Sequence, residues 1–109
     1  MSKYNATRTK VDGIVFASKK EARRYSELRL LEKIGQVLDL ELQPRFPVYI
    51  APLRETGAVR VFTYIADFRY KDKDTGRIVI EDVKGMKTQV YKLKKRCVQA
   101  YYGIRISEV

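Results

Sequence analysis

The sequence of 109 residues contains no histidine. This absence excludes zinc sites built from cysteine and histidine, Ser-His-Asp hydrolysis and nucleases that use a histidine base. Any metal ion in this protein must therefore be held by carboxylate and carbonyl oxygens. Such ligands favour Mg²⁺ or Mn²⁺ over softer metals.

Cysteine and long apolar runs are also scarce. The one cysteine, Cys97, cannot form an internal disulfide, which fits a reducing compartment. No apolar run approaches the roughly 18 residues that span a bilayer, and the polar N-terminus lacks the apolar segment of a signal peptide. We therefore expect a cytoplasmic protein without a membrane partner.

Charge of one sign is in large excess. Lys and Arg number 23 and Asp and Glu 13, so the formal net charge is +10. Solubility asks for only about 2–8 units of net charge in a small domain. The excess indicates a polyanionic partner, with nucleic acid ahead of an anionic membrane.

The first third of the chain predicts an arm, a hairpin and a helix. Residues 1–10 form a basic lead-in, and Asp12-Gly13 has the residues of a tight hairpin turn. "SKKE" predicts a capping box with Ser18 as N-cap and Glu21 at the third helical position. The helix should run to about Ile34, because Gly35 is typical of the residue after a helix end.

Strands dominate the middle of the chain. "VLDLELQ" alternates and should place Leu38, Leu40 and Leu42 on one face. Pro44 and Pro47 confine the next segment to an edge strand or an irregular connection. Residues 59–70, "VRVFTYIADFRY", then read as one long strand, paired through the turn "KDKDTG" with "RIVIEDVK".

The last third predicts a second helix and a final strand. The helix should span about Thr88 to Tyr102 and end at Gly103, before the short strand "IRISEV". Its predicted apolar stripe consists of Val90, Leu93, Cys97 and Tyr101. The whole chain is thus expected to form a single α/β domain, residues 1–109, with a mixed sheet flanked by helices.

Carboxylates follow the apolar run "VIEDVKG". Alternation places Ile80, Asp82 and Lys84 on one face of the strand and Glu81 on the other. The preceding hairpin should bring Asp67 beside Asp82. Two adjacent carboxylates raise each other's pKa unless a cation lies between them, and a divalent metal is the simplest such cation.

Glu21 has two interpretations. Taken alone, it is better explained as the capping-box partner of Ser18. It also shares a helix face with Tyr25 and Leu28, so it points towards the core side and towards the carboxylates. The conjunction with Asp67 and Asp82 favours a role in the site.

These residues resemble the PD-(D/E)XK nuclease superfamily. The resemblance is carried by Asp67 in "YIADF", by Asp82-Val83-Lys84, and by Glu21 in "SKKEARRY". The predicted element order is similar to that family's restriction-endonuclease-like αβββαβ core, here with a small N-terminal hairpin. "KYNATRTKVDG", "ELQPRF" and "DVKG" further resemble small phage-encoded nucleases related to Holliday-junction resolvases. One departure is Ala66, where the family sometimes has proline before the first acid.

The resemblance implies a role for each of these residues. Asp67 and Asp82 would ligate Mg²⁺, or Mn²⁺ as a substitute, with the Val83 carbonyl as a third protein oxygen. Glu21 would hold a second ion or a water bound to the metal. Lys84 would orient the attacking water and offset charge on the scissile phosphate. Glu81, on the opposite face, would be either paired structurally or a weak alternative ligand.

Candidate DNA contacts come from three segments. Gln43 and Arg45 of "ELQPRF" could reach the substrate from a neighbouring strand. Strand packing explains the preceding "LDLEL" pattern equally well. Lys92 taken alone is better explained as part of a solvated helix face. The full predicted set is Lys3, Tyr4, Arg8, Lys10, Gln43, Arg45, Lys87, Lys92, Lys95 and Arg96.

The predicted function is a Mg²⁺-dependent DNA endonuclease that cuts branched or recombining DNA. Junction cutting requires two cuts, which favours a homodimer. The resemblance places it in the bacterial host cytoplasm if the chain is phage-encoded. One alternative is a nicking, restriction-like or transposition-type endonuclease. The other is a catalytically inactive nucleic-acid-binding module, which would leave Glu21, Asp67 and Asp82 unexplained.

Overall fold

A computed structural model describes residues 7–54 and 57–109. Lys3 and Tyr4, the predicted DNA contacts of the arm, lie outside the described residues. The elements, in chain order, are β1 (Thr9–Val11), β2 (Ile14–Phe16), α1 (Lys19–Lys33), β3 (Val37–Leu42), β4 (Arg45–Ile50), β5 (Val59–Ile65), β6 (Phe68–Asp72), β7 (Ile78–Asp82), α2 (Gln89–Tyr102) and β8 (Ile106–Glu108).

The predicted helix and hairpin ends are confirmed. Ser18 caps α1, with its Oγ accepting the Glu21 N–H at 3.1 Å, and Thr88 caps α2 in the same way through Tyr91. Gly103 ends α2 in the left-handed conformation that glycine adopts without strain. Asp12 and Gly13, at φ 52° and 77°, form the turn between β1 and β2.

The central sheet is mixed, as predicted. Its four strands lie in the order β3-β6-β7-β8, with β8 parallel to β7 and the other pairs antiparallel. Along the chain the core therefore reads α1, β3, β6, β7, α2, β8, which is the expected αβββαβ order. Strands β4 and β5 form a separate two-stranded ribbon inserted between β3 and β6.

The prediction of one long strand over residues 59–70 is wrong. The strand breaks at Ala66 and Asp67, because β5 pairs with β4 whereas β6 pairs with β3 and β7. On the facing side, Gln43 has a φ of 52° and Pro44 follows it, so the chain turns from the sheet into the ribbon. The two turning points are joined by Gln43 N–H donating to the Asp67 carbonyl at 2.9 Å. Asp67 therefore lies at the junction of sheet and ribbon.

The alternation predicted for β3 is also interrupted. Asp39 has a φ of 55°, and the pairing with β6 shifts register between Leu38 and Glu41. Leu38 is consequently exposed, while Leu40 and Leu42 pack against the core as expected. A bulge of this kind changes which face a side chain points to.

Two apolar clusters cover opposite faces of the sheet. The first joins α1 to Phe68 and Tyr70, and the second joins α2 to Ile80 and Ile106. Side chains alternate between faces along a strand, so Ile80 and Asp82 point to the α2 side while Glu81 points to the α1 side. The face assignments made for β7 from the sequence are thus confirmed.

The predicted apolar stripe of α2 is wrong. Val90, Leu93 and Tyr101 are 61%, 62% and 51% exposed, and Cys97 is only partly buried. The helix turns Tyr91 and Val98 towards the sheet instead. That orientation gives the Tyr91 hydroxyl an acceptor on Glu108, so a polar tip on the inner face is satisfied. Among the described residues, neither helix combines the length and apolarity needed to cross a membrane.

Candidate active site

Glu81 is a structural carboxylate. Arg24 of α1 donates to both of its oxygens, from Nε at 2.8 Å and from Nη2 at 2.7 Å, and the Tyr70 hydroxyl donates a further hydrogen bond. The residue is only 2% exposed. A bidentate guanidinium and a hydroxyl satisfy a buried carboxylate fully. Of the two roles left open for Glu81, the structural pairing is therefore confirmed.

Asp67 is anchored at the junction of sheet and ribbon. Its main-chain N–H donates to the Glu81 carbonyl at 3.0 Å, and Val83 N–H donates to its Oδ2 at 2.6 Å. The hairpin thus brings Asp67 next to the end of β7, as predicted. Burial raises the pKa of Asp67, while the Val83 N–H and the charge of Lys84 oppose that rise.

Asp82 is the most deeply buried charged group, with no exposed area. The Tyr64 hydroxyl donates to its Oδ2. Its Oδ1 accepts no hydrogen bond within the described part of the chain, and Lys84 Nζ lies 3.9 Å away. Burial raises the pKa of Asp82, and the Lys84 charge lowers it. One oxygen of a buried carboxylate thus has a cation nearby but no described hydrogen-bond donor, which is costly in free energy.

Glu21 carries its carboxylate towards the other two acids. Burial, together with the charges of Asp67 and Asp82, outweighs the opposing charge of Lys84 and raises the pKa of Glu21 to about 7. In the residues that the structure covers, the Glu21 side chain does not accept the Ser18 N–H that a full capping box would supply. Only half of the predicted capping box forms, which leaves the carboxylate free to face the site.

Lys84 lies between the carboxylates and α2. Its Nζ is 4.7 Å from the centroid of the Tyr91 ring, in addition to its contact with Asp82. Its charge lowers the pKa of Glu21, Asp67 and Asp82 alike. The positive charge of Lys84 therefore stabilises the ionised form of all three acids.

A cavity of about 480 Å³ brings four of the predicted residues together: Glu21, Asp67, Val83 and Lys84. Asp82 is buried and does not line this cavity. Within the described ranges, no three Asp, Glu, Cys or His side chains are arranged as a ready metal-binding group. Glu21 and Asp67 thus line one cavity, Asp82 does not, and the three acids lack the close ligand geometry that a bound ion would impose.

The charge balance of the site fits a divalent cation. Three carboxylates share one lysine, and burial raises the pKa of each acid. Oδ1 of Asp82 is a buried carboxyl oxygen that accepts a hydrogen bond from no described donor. Carboxylate oxygens of this kind are the ligands that Mg²⁺ prefers. The residues present are therefore chemically suited to hold such an ion.

The predicted DNA contacts fall into separate places. Arg8 and Gln43 border an adjoining cavity that also includes Glu21 and Asp67. Lys10 on β1 and Arg45 on β4 are exposed. The four basic residues near and on α2 surround another cavity, bounded by Glu108. That group is Lys87, Lys92, Lys95 and Arg96.

The sequence did not single out the residues that hold the acids in place. Tyr64 binds Asp82, Tyr91 lies under Lys84, and Arg24 neutralises Glu81. Lys20 borders the cavity and donates to the Lys84 carbonyl at 3.3 Å. Of these residues, only Lys20 could have been associated with the site from the sequence, because it directly precedes Glu21 in "SKKE".

Comparison with known proteins places the chain in one family. The chain belongs to the family described as "Protein of unknown function (DUF1064)", which matches residues 1–107. Neither the curated proteins nor the solved structures provide a match. Membership therefore leaves the activity open, and the function must be argued from the site.

Proposed function

We propose that the protein is a Mg²⁺-dependent endonuclease that hydrolyses phosphodiester bonds in DNA. The observation that carries the proposal is Asp82 Oδ1, a buried carboxyl oxygen without a described donor. It lies 3.9 Å from the Nζ of Lys84, which lines a cavity together with Glu21 and Asp67. The net charge of +10 supports a polyanionic substrate.

Each group of the site has a defined task in this proposal. Asp67, Asp82 and the Val83 carbonyl would hold Mg²⁺, with Glu21 as a further oxygen ligand. The ion would supply positive charge to the phosphate and lower the pKa of the attacking water. Lys84 would orient that water and offset negative charge on the phosphate. Tyr64 and the Val83 N–H position the two aspartates.

The preferred DNA would be branched, and this choice rests on the resemblance to junction resolvases. Cutting a four-way junction needs two strand cuts, so the active species would be a homodimer with two sites. The enzyme would work in the cytoplasm.

Cleavage of matched linear, nicked, flapped and four-way DNA, with Mg²⁺ and with EDTA, tests the proposal. We expect cutting only with Mg²⁺ and most strongly on the four-way substrate. Asp67→Asn and Asp82→Asn should each lower the rate by about 100-fold or more. DNA binding should persist or tighten, because each change removes a charge that repels phosphate.

Asp74→Asn is the matched control. Asp74 lies in the turn between β6 and β7, at the opposite end of β7 from Asp82, and bonds to Gln36. This variant should cut at the parent's rate. Undiminished cutting by both site variants would remove the site assignment, and DNA binding by the parent without any cutting would support the inactive binding module instead.

A further inference from the structure

A second charged cleft lies between α2 and β8, apart from the cavity that holds the acids. Its volume is about 470 Å³. Four cations and a single carboxylate border it, namely Lys87, Lys92, Lys95, Arg96 and Glu108. A cleft with this excess of positive charge favours an anionic ligand.

Glu108 forms ion pairs with two of the four cations. Its Oε1 lies 3.1 Å from Lys87 Nζ, and its Oε2 lies 3.5 Å from Lys95 Nζ. The Tyr91 hydroxyl donates to Oε2 at 2.7 Å. The Tyr91 hydrogen bond and the neighbouring lysines lower the pKa of Glu108, so the carboxylate is held as an anion.

Lys92 and Arg96 are the two cations of the cleft that do not form an ion pair with Glu108. They are four residues apart on α2 and so share a face of the helix. In residues 7–54 and 57–109, no carboxylate forms an ion pair with either of them. The cleft therefore holds two cations beyond those that Glu108 engages.

We propose that this cleft binds a phosphodiester of a nucleic-acid strand, and that Glu108 fills it as an internal competitor in the free protein. Phosphate and carboxylate oxygens accept the same charge-assisted hydrogen bonds from ammonium and guanidinium groups. An arriving phosphate would take over Lys87 and Lys95 and gain Lys92 and Arg96. The proposal rests on the proposed function for the identity of its ligand.

The cleft is linked to the proposed active site by the pairing of β8 with β7 and by the side chain of Tyr91. Glu108 is the register partner of Asp82 in the β7–β8 pair, and neighbouring strands lie about 4.8 Å apart. The Tyr91 ring contacts Lys84 while its hydroxyl binds Glu108. A strand whose scissile phosphate lies at Lys84 would thus place a nearby phosphate in the cleft. That contact would position the strand in the active site.

Salt-dependent binding tests the cleft without relying on catalysis. The parent and a Lys92→Gln/Arg96→Gln variant are titrated with four-way and duplex DNA in EDTA over a series of salt concentrations. We expect the slope of log K against log salt to become shallower by about one to two for the variant. Affinity at low salt should fall about tenfold or more.

Lys73→Gln/Arg77→Gln is the control for the loss of two charges. Both residues are exposed in the turn at the far end of the β6–β7 hairpin. This variant should keep the parent's slope. If the two double variants showed the same slope and affinity, the cleft would not be a phosphate site.

Removing the internal competitor should have the opposite effect. Glu108→Gln should tighten DNA binding by about three- to tenfold, more than Glu41→Gln, which removes one exposed carboxylate on β3. Equal effects of the two changes would overturn the competitor role. An NMR titration with inorganic phosphate alone, compared with a titration with DNA, distinguishes a free phosphate ion from a DNA phosphate as the ligand. If submillimolar phosphate saturates the cleft and DNA causes no chemical-shift changes there, the proposal would also be overturned.

These outcomes are separable from the proposed function. If the parent binds DNA with the expected salt dependence but never cuts it, the proposed nuclease activity would be refuted and the phosphate-binding cleft would stand. A parent that cuts, with a Lys92→Gln/Arg96→Gln variant of unchanged slope, would remove the cleft and leave the activity.

Discussion

The hydroxyl of Tyr64 donates a hydrogen bond to Oδ2 of Asp82, across the boundary between the ribbon and the central sheet. Both residues are buried, and Asp82 has no exposed area. This bond is the direct support of a carboxylate whose other oxygen lacks a described donor. The ribbon thus contributes to the site even though it pairs only within itself.

Replacing Tyr64 with Phe should therefore destabilise the metal-free protein. The change removes the hydrogen bond that the Tyr64 hydroxyl donates to this buried carboxylate, which costs about 1–3 kcal/mol. Thermal unfolding in EDTA should show a clear drop in Tm. Tyr49→Phe, which removes a hydroxyl from a tyrosine that is 42% exposed, is the control and should melt like the parent. Equal melting of the two variants would mean that the Tyr64 bond contributes nothing.

Lys84→Ala should separate catalysis from metal binding. Lys84 lies 3.9 Å from Asp82 and lines the cavity, but it offers no oxygen to a metal ion. We expect cleavage to fall by about 100-fold or more, and Mg²⁺ affinity in calorimetric titration to hold or to rise, because a competing cation is removed. Lys73→Ala is the control. Cutting at the parent's rate would make Lys84 an ordinary surface base.

Glu21→Gln distinguishes the two interpretations of that residue. The Ser18 cap uses the Glu21 main-chain N–H, so the change leaves it intact. The side chain faces Asp67, and losing its charge should lower cleavage by orders of magnitude while Tm is kept or raised. Glu32→Gln, in the last turn of α1, should alter neither. A Glu21→Gln protein that cuts normally would remove the Glu21 side chain from the proposed site.

The metal-free protein should lose stability as pH rises. Burial and Asp67 raise the pKa of Glu21 from its ordinary 4.5 to about 7, so the folded state binds more protons than the unfolded state between these values. The stabilisation is complete below pH 4.5 and is lost as pH passes 7. Because Glu21 is only half-buried, we expect about 1 kcal/mol.

Urea unfolding in EDTA at several pH values measures this dependence. Glu21→Gln should flatten the slope, and Mg²⁺ should restore stability at pH 8 by binding the folded state. A stability that is constant from pH 5 to pH 8, with or without Mg²⁺, would contradict a strained cluster of acids.

Local signals in the sequence were enough for the ends of the helices and the tight turns. Ser18, Thr88 and Gly103 act on neighbouring main-chain groups, so their effect can be predicted from a few adjacent residues. The hairpin that brings Asp67 beside the end of β7 was predictable for the same reason, because its turn lies between two adjacent strands.

Other features depended on choices between equivalent patterns. The α2 sequence offers two helical faces, and the one that packs contains Tyr91 and Val98 rather than Val90 and Leu93. Every second residue from Tyr64 to Tyr70 is apolar on both sides of the break, so the switch of pairing partner between β5 and β6 leaves no trace in that pattern.

The sequence by itself determined the αβββαβ order of the core, the absence of histidine ligands and the set of acids that could form a site. Tertiary structure decided which acid is neutralised and which is not. Glu81 meets Arg24 from a helix 57 residues away, whereas Asp82, its neighbour in the chain, meets the hydroxyl of Tyr64 and an ammonium group 3.9 Å away on Lys84. Two adjacent carboxylates on opposite faces of a strand enter different environments, and only the packing of α1 and α2 on those faces distinguishes them.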